Sequence, residues 1–169
     1  MKINRHINKV AVVGSGIMGS RIACHFANIG VEVLLLDIVP FDLTEEQKQD
    51  KAIRNSIVND ALKSTLKSKP SPIYSKEFVS RITTGNLDDD LYKIADVDWI
   101  IEVVVERLDI KKQVFEKIEK FRKEGTLISS NTSGIPIESM IDGRSDDFQK
   151  HFCGTHFFNP PRYLKLLEI

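Results

Sequence analysis

The sequence predicts an α/β fold, a doubly wound and mostly parallel sheet with helices between its strands. Short apolar runs alternate along its 169 residues with longer stretches of helical periodicity, the pattern of parallel strands joined by crossover helices. The first apolar run stops abruptly at a glycine-rich turn that opens a helix. Hydrophobic residues make up 41% and charged residues 28%, the balance of a single globular core with a solvated surface.

Lys9-Val10-Ala11-Val12-Val13 reads as the first buried strand. Ile17, Ile22, Phe26 and Ile29 then recur at helical spacing, and Gly30 is placed to stop that helix. Val31 to Leu36 forms a second strand that ends at Asp37. Pro40 breaks the chain, and Thr44-Glu45-Glu46-Gln47 has the form of a capping box that starts a long helix. That helix is expected to reach about Lys67, where Pro70 and Pro72 stop it. It is longer than the crossover of a minimal nucleotide-binding unit and reads as an inserted helical hairpin. Arg81 to Thr84 is a short strand and Asp98 to Val103 a stronger one. A helix from about Leu108 to Arg122 carries Val114, Phe115, Ile118 and Phe121 on one side. Thr126 to Ser129 is the next strand, followed by the loop Asn131-Thr132-Ser133-Gly134. His151 to Phe158 and Leu164 to Ile169 are the last apolar runs. No repeat or linker divides residues 1–169, which read as one domain.

The charge balance narrows the partners. The 24 Lys and Arg residues equal the 24 Asp and Glu, so neither nucleic acid nor an anionic membrane surface is expected. No apolar run approaches the ~20 residues of a membrane span, and the segment before Gly14 is too short in apolar residues for a signal peptide. Cys24 and Cys153 lie far apart with no CxxC spacing, which suggests neither a disulfide framework nor a metal site. The expected compartment is the reducing cytoplasm.

Gly14-Ser15-Gly16-Ile17-Met18-Gly19 is a GxGxxG at a strand-to-helix junction. The first glycine permits the tight turn, the second lets a pyrophosphate approach the backbone, and the third lets helix pack on strand. The helix N-terminus adds N–H donors and the positive end of the dipole. Asp37 follows Gly16 by 21 residues at the end of the second strand, where it can accept from both adenosine ribose hydroxyls and would repel a 2′-phosphate. Ile38-Val39-Pro40-Phe41 supplies no arginine to bind one, so a Rossmann-type domain with NAD rather than NADP is expected. The plainer alternatives are a structural glycine turn and a solvated strand-end aspartate.

Of the four histidines, His6, His25 and His151 sit in contexts that read as structural or solvent-exposed. His156 lies in Gly154-Thr155-His156-Phe157-Phe158-Asn159-Pro160-Pro161, at the end of an apolar run and before a rigid double-proline turn. In the final strand, period two puts Glu168 on the face of Leu164 and Leu166, where a carboxylate is costly unless paired. A returning strand would set it beside His156 to orient the ring. From spacing alone, a core histidine and an unrelated glutamate account for the pattern equally well.

Taken together, the chain resembles the 3-hydroxyacyl-CoA dehydrogenase family, specifically its N-terminal NAD-binding domain, over essentially its whole length. The resemblance is carried by Val10 to Gly19, Glu102-Val103-Val104-Val105-Glu106, Ser130-Asn131-Thr132-Ser133 and Gly154 to Pro160. It implies that His156 is the catalytic base and Glu168 its partner. It further implies that Ser133 contacts the substrate carbonyl and the nicotinamide, that Asn159 touches the cofactor, and that Glu106 and Lys111 lie near the nicotinamide ribose. Without it, Glu106 would read as a helix-start carboxylate, Lys111 as a solvated lysine and Asn131 as a turn former bonding its own backbone. Between Lys48 and Lys76 seven Lys/Arg residues face two acids, a net +5. The resemblance gives this excess a purpose in the CoA phosphates, with Ser56 and Lys63 at the family's CoA-binding positions; the bland reading is a solvated face.

What the resemblance implies is NAD-dependent oxidation of an L-3-hydroxyacyl-CoA in fatty-acid β-oxidation. Family members continue into a C-terminal helical domain, absent from this chain, that closes the site and carries homodimer contacts, so these residues alone are expected to bind NAD and catalyse poorly. Gly134 and Pro161-Arg162-Tyr163 depart from the single-function members and are more similar to longer bacterial chains fused to an enoyl-CoA hydratase. Two rivals stay open here, a dehydrogenase of a free 3-hydroxy acid and a non-catalytic NAD-binding module.

Overall fold

A computed structural model describes residues 5–169. Six strands, β1 (Lys9–Val13), β2 (Glu32–Asp37), β3 (Ile82–Asn86), β4 (Trp99–Glu102), β5 (Leu127–Ser130) and β6 (Phe152–Gly154), form one parallel sheet in the order β3-β2-β1-β4-β5-β6. The doubly wound fold predicted above is therefore present. Its strands read as unbroken apolar runs because both faces are covered. Val10, Val12, Val33 and Leu35 face a layer holding Ile22, Phe26, Val58 and Leu62. Ala11, Val13, Leu34 and Leu36 face another holding Phe115, Ile118, Met140 and Phe148.

Helix α1 (Ile17–Asn28) follows the glycine turn, and Gly30, at φ 91°, ends it in the left-handed region that glycine favours. Helix α4 (Leu108–Phe121) buries Val114, Phe115 and Ile118, but Phe121 at its end is 45% exposed and leaves the expected apolar face.

The long helix expected after Pro40 is broken twice. The capping box does close, with Thr44 N donating to Gln47 Oε1 at 2.9 Å and Gln47 N to Thr44 Oγ1 at 3.3 Å, but it opens only a 3-10 turn, Gln47–Gln49. Asp50 then caps α2 (Lys51–Arg54) by accepting from Ala52 N and Ile53 N. The buried Asn55 separates α2 from α3 (Ser56–Lys67), its Oδ1 accepting from Asn86 Nδ2 at 2.7 Å. Asp50 breaks the helix by bonding its own neighbouring backbone, a local competitor of helix continuation, whereas Asn55 breaks it by turning to a tertiary partner. Val58 and Leu62 of α3 enter the same core as α1, so α3 is the β2–β3 crossover itself. The return limb through Pro70 and Pro72 holds no helix before the 3-10 turn Lys76–Arg81, so the insert has one broken helical limb instead of a two-helix hairpin.

Two short helices escaped the sequence reading, α5 (Ile137–Ile141) and α6 (Asp146–Lys150). Ser145 caps α6, accepting from Phe148 N, and Met140 and Phe148 are fully buried beneath them. The run His151 to Phe158 divides at Thr155: β6 stays in the main sheet, while β7 (His156–Phe157) leaves it to pair antiparallel with β8 (Leu167–Glu168). Both cysteines are free thiols, and burial pushes Cys24 up to about 12. Among the described residues no helix is long and apolar enough to cross a membrane.

Candidate active site

Gly14 adopts φ 105°, and a Cβ there would stand 2.6 Å from Val103 O. At Gly19 it would stand 1.8 Å from Gly14 O, so helix and turn touch backbone to backbone. Gly16 differs: a Cβ there meets nothing within 4 Å. It opens α1 without a side-chain cap, and the first turn of α1 holds no acid, so its N–H donors suit an external anion. A cleft of about 530 Å³ lies over this turn at the C-terminal ends of β1 and β4, lined by Gly14, Gly16, Met18, Asp37, Val103 and Val105 among others. This is the switch point of the sheet, where the strand order reverses. An apolar wall with anion-binding backbone at its floor fits a dinucleotide.

Asp37 stands on the rim of that cleft. Its Oδ2 accepts from Ser15 N at 2.6 Å and Ser15 Oγ at 2.5 Å, and its Oδ1 from Ile38 N at 2.7 Å. Ser15 is buried inside the turn, where its hydroxyl orients Asp37, whereas Ile17 is 70% exposed.

His156 and Glu168 face each other across the β7–β8 ladder, with His156 Nδ1 2.9 Å from Glu168 Oε2. A carboxylate there favours the Nδ1–H tautomer and leaves Nε2 as the basic nitrogen. Nε2 points toward Ser133 Oγ at 3.5 Å, the outer limit of a hydrogen bond. The expected buried apolar face around Glu168 is not found: Leu164 and Leu166 are 47% and 61% exposed, so pairing with His156 and not desolvation accounts for its position. Asn131 does not bond its own backbone; its Oδ1 accepts from Phe157 N at 2.9 Å and ties β7 to the loop after β5. Asn159 is exposed and its Oδ1 accepts from Arg21 Nη1 of α1.

Beneath this loop lies a charge network. Lys111, far from a solvated lysine, is completely buried in the first turn of α4. Its Nζ stands 2.9 and 3.0 Å from the two carboxylate oxygens of the equally buried Glu102 and 3.3 Å from Glu106 Oε2. Glu106 reaches the surface, and its Oε1 accepts from Thr132 Oγ1 at 2.5 Å, Ser133 N at 3.0 Å and Gly134 N at 3.2 Å. Burial pushes the Glu106 carboxyl up, but these donors and Lys111 outweigh it and hold it below the usual range. Glu102 was missed as a site residue; its signal was a carboxylate inside the apolar run 99–105.

Ser56 and Lys63 lie two turns apart on one side of α3, half-buried and exposed respectively, and among the described residues no hydrogen bond or ion pair links them to His156, Glu168 or Ser133. The basic excess around them is smaller than composition suggests. Arg54 pairs with Asp89 at 2.6 Å, Lys51 with Asp90 at 3.8 Å and Lys48 with Glu45 at 2.5 Å. Lys63, Lys67, Lys69 and Lys76 remain without an ion pair among the described residues.

Residues 9–169 match the family model described as the NAD binding domain of 3-hydroxyacyl-CoA dehydrogenase. The chain is 56% identical over 173 aligned residues to a probable 3-hydroxyacyl-CoA dehydrogenase of Bacillus subtilis, covering 99% of this chain and 22% of that protein. It is 48% identical to a protein of the same description from Deinococcus radiodurans, covering 96% of this chain and 45% of the relative. The crystal structure of an (S)-3-hydroxybutyryl-CoA dehydrogenase from Ralstonia eutropha superposes with a TM-score of 0.69 at 26% identity, over 96% of this chain and 53% of that one. The chain thus spans less than half the length of both curated relatives.

Proposed function

This chain belongs to the 3-hydroxyacyl-CoA dehydrogenase family as its NAD-binding domain, and from that membership we propose that the polypeptide carrying it oxidises an L-3-hydroxyacyl-CoA to the 3-ketoacyl-CoA in fatty-acid β-oxidation. The observation that carries this reading is His156 held between Glu168 and Ser133, beside a dinucleotide cleft. A module that only sensed NAD would have no use for an oriented base there.

NAD, when bound, supplies the hydride acceptor. The open Gly16 turn and the N-terminus of α1 suit its pyrophosphate, and Asp37, preset by Ser15, suits the adenosine ribose hydroxyls. His156 Nε2 takes the proton of the 3-hydroxyl as the C3–H bond breaks and its electron pair leaves with hydrogen as hydride, so that the C–O bond becomes the ketone. Glu168 stabilises the imidazolium that forms. Ser133 positions the substrate oxygen against the ring. Asn159 and Glu106 are assigned to the nicotinamide side. Lys111, buried beneath Glu106 with its Nζ 3.3 Å from Glu106 Oε2, is assigned to the same side through that carboxylate.

Ser56, Lys63 and the unpaired lysines near them belong to the same proposal as the contact for CoA phosphates. So do a homodimeric full-length protein and a cytoplasmic setting, which is supported by two unpaired thiols. The test is NADH consumption with acetoacetyl-CoA by the full-length polypeptide. Turnover is expected, with a loss of about 10²–10⁴-fold in His156→Ala at unchanged NADH affinity. Absence of turnover in the unmodified protein, or its survival in the variant, would sink the reading.

A further inference from the structure

A carboxylate and an ammonium with no exposed surface cost more to bury than their attraction generally returns, so such a pair is weak evidence for stability and needs another account. In this chain the account lies in what the pair touches. Glu102 ends β4, directly opposite Ser130 at the end of β5, and its carboxylate accepts from Ser130 Oγ and from Val104 N. Its backbone carbonyl accepts from Asn131 N at 2.8 Å, and Asn131 in turn holds Phe157 N, next to His156. Its carboxylate holds Lys111, and Lys111 holds Glu106 at 3.3 Å. Glu106 then gathers the hydroxyl of Thr132 and the amides of Ser133 and Gly134 on a single oxygen. The buried pair therefore sits at the root of the side-chain connection to Ser133, one of the two partners of the His156 ring; the other, Glu168, is reached independently.

We propose that Glu102 and Lys111 are positioning residues of the dehydrogenation. Their pair presets the Glu106 carboxylate, and through it the 132–134 loop, so that Ser133 Oγ stands against His156 Nε2. Neither residue touches the reacting atoms. Lys111 keeps Glu106 ionised and fixed in place, Glu102 keeps Lys111 from relaxing toward solvent, and the loop is held by charge-assisted bonds to one carboxylate oxygen. This inference rests on the dehydrogenase reading, and its test keeps the two apart.

The variants are built in the full-length polypeptide. Glu102→Gln alone leaves a buried ammonium with a single charged partner, so the decisive variant is Glu102→Gln/Lys111→Met, which removes both charges at similar volume. Turnover of acetoacetyl-CoA with NADH is compared in the wild-type and Ser133→Ala backgrounds. In the wild-type background kcat is expected to fall about 10²-fold with the acyl-CoA KM little changed, the scale of an approximately ångström misplacement near the reacting atoms. In the Ser133→Ala background the same pair of changes should have little further effect, because residues acting as one unit are not additive. An equal loss in both backgrounds, an unchanged kcat, or a double variant that fails to fold would overturn the proposal and make the pair a structural support. Lack of turnover in the unmodified protein would instead remove the dehydrogenase reading on which it stands.

Discussion

Glu168 stands directly across a two-residue antiparallel ladder from His156, its Oε2 2.9 Å from the Nδ1 of the ring. The ladder is only two residues long in each strand; its other pair, Phe157 and Leu167, packs on the core, while Tyr163, Leu164 and Leu166 before β8 are exposed. A Glu168→Gln substitution keeps an acceptor near Nδ1 but removes the charge that favours the imidazolium. It is expected to lower kcat about 10²-fold in the full-length polypeptide while NADH affinity stays within about threefold. Stopped-flow turnover and NADH fluorescence titration check the two halves, and an unchanged kcat would exclude the pair from the chemistry.

Two of the three glycines of the turn should separate folding from binding. Gly19→Ala pushes a methyl group into Gly14 O, with backbone on both sides and no room to yield, and should lower Tm markedly or prevent folding. Gly16→Ala adds a methyl group in open space at ordinary φ, and should leave Tm nearly unchanged while weakening NADH binding about tenfold or more. Thermal melts with and without NADH distinguish the two. A Gly16 variant that binds NADH as tightly as the parent would show that the turn is only structural.

This contrast also marks how far the sequence was legible. The β1–turn–α1–β2 unit was readable because the strands are buried on both faces and glycine is punctuated by sterics that act within a few residues. The breaks at Asp50 and Asn55 were not, because a capping signal and a helical pattern say nothing about which polar side chain finds a tertiary partner, here Asn86 for Asn55. Lys111 defeated local reasoning for the same reason. A lysine in the first turn of a helix is solvated by default, and only the parallel pairing of β4 with β5 and the path of α4 bring its ammonium onto Glu102. His156 and Glu168 fell between these cases: the partner strand could be foreseen, but its register came only from the fold.

Lys63 is exposed on α3 and carries no ion pair, unlike Arg54 at the end of α2, which is held in a two-bonded contact by Asp89. If the unpaired lysines meet the phosphates of CoA, Lys63→Ala should raise the acyl-CoA KM several-fold at low ionic strength, and the difference should shrink as salt screens it. Arg54→Ala should instead act mainly through stability. Steady-state kinetics at two salt concentrations test this, and an unchanged KM for Lys63→Ala would take this face out of the substrate site.

The sheet edge opposite α3 carries a pH-dependent clasp. Arg122, nearly buried at the end of α4, donates to Asp147 Oδ2 of α6, which also accepts from Gly125 N at 3.2 Å. The Arg122 contact, followed by the Gly125 amide, holds the Asp147 carboxyl below the ordinary aspartate range. A carboxyl with a depressed folded-state pKa contributes stability that is fully present above its unfolded value of about 3.9 and disappears as pH falls through the lower, folded one. Asp147→Asn should therefore lower Tm at neutral pH, partly because the Arg122 charge is left without its partner. The gap between variant and parent should close on acidification below about pH 4. Differential scanning calorimetry across that range checks it. A gap that persisted unchanged at the acid end would mean that the carboxylate charge is not what fastens α6 to α4.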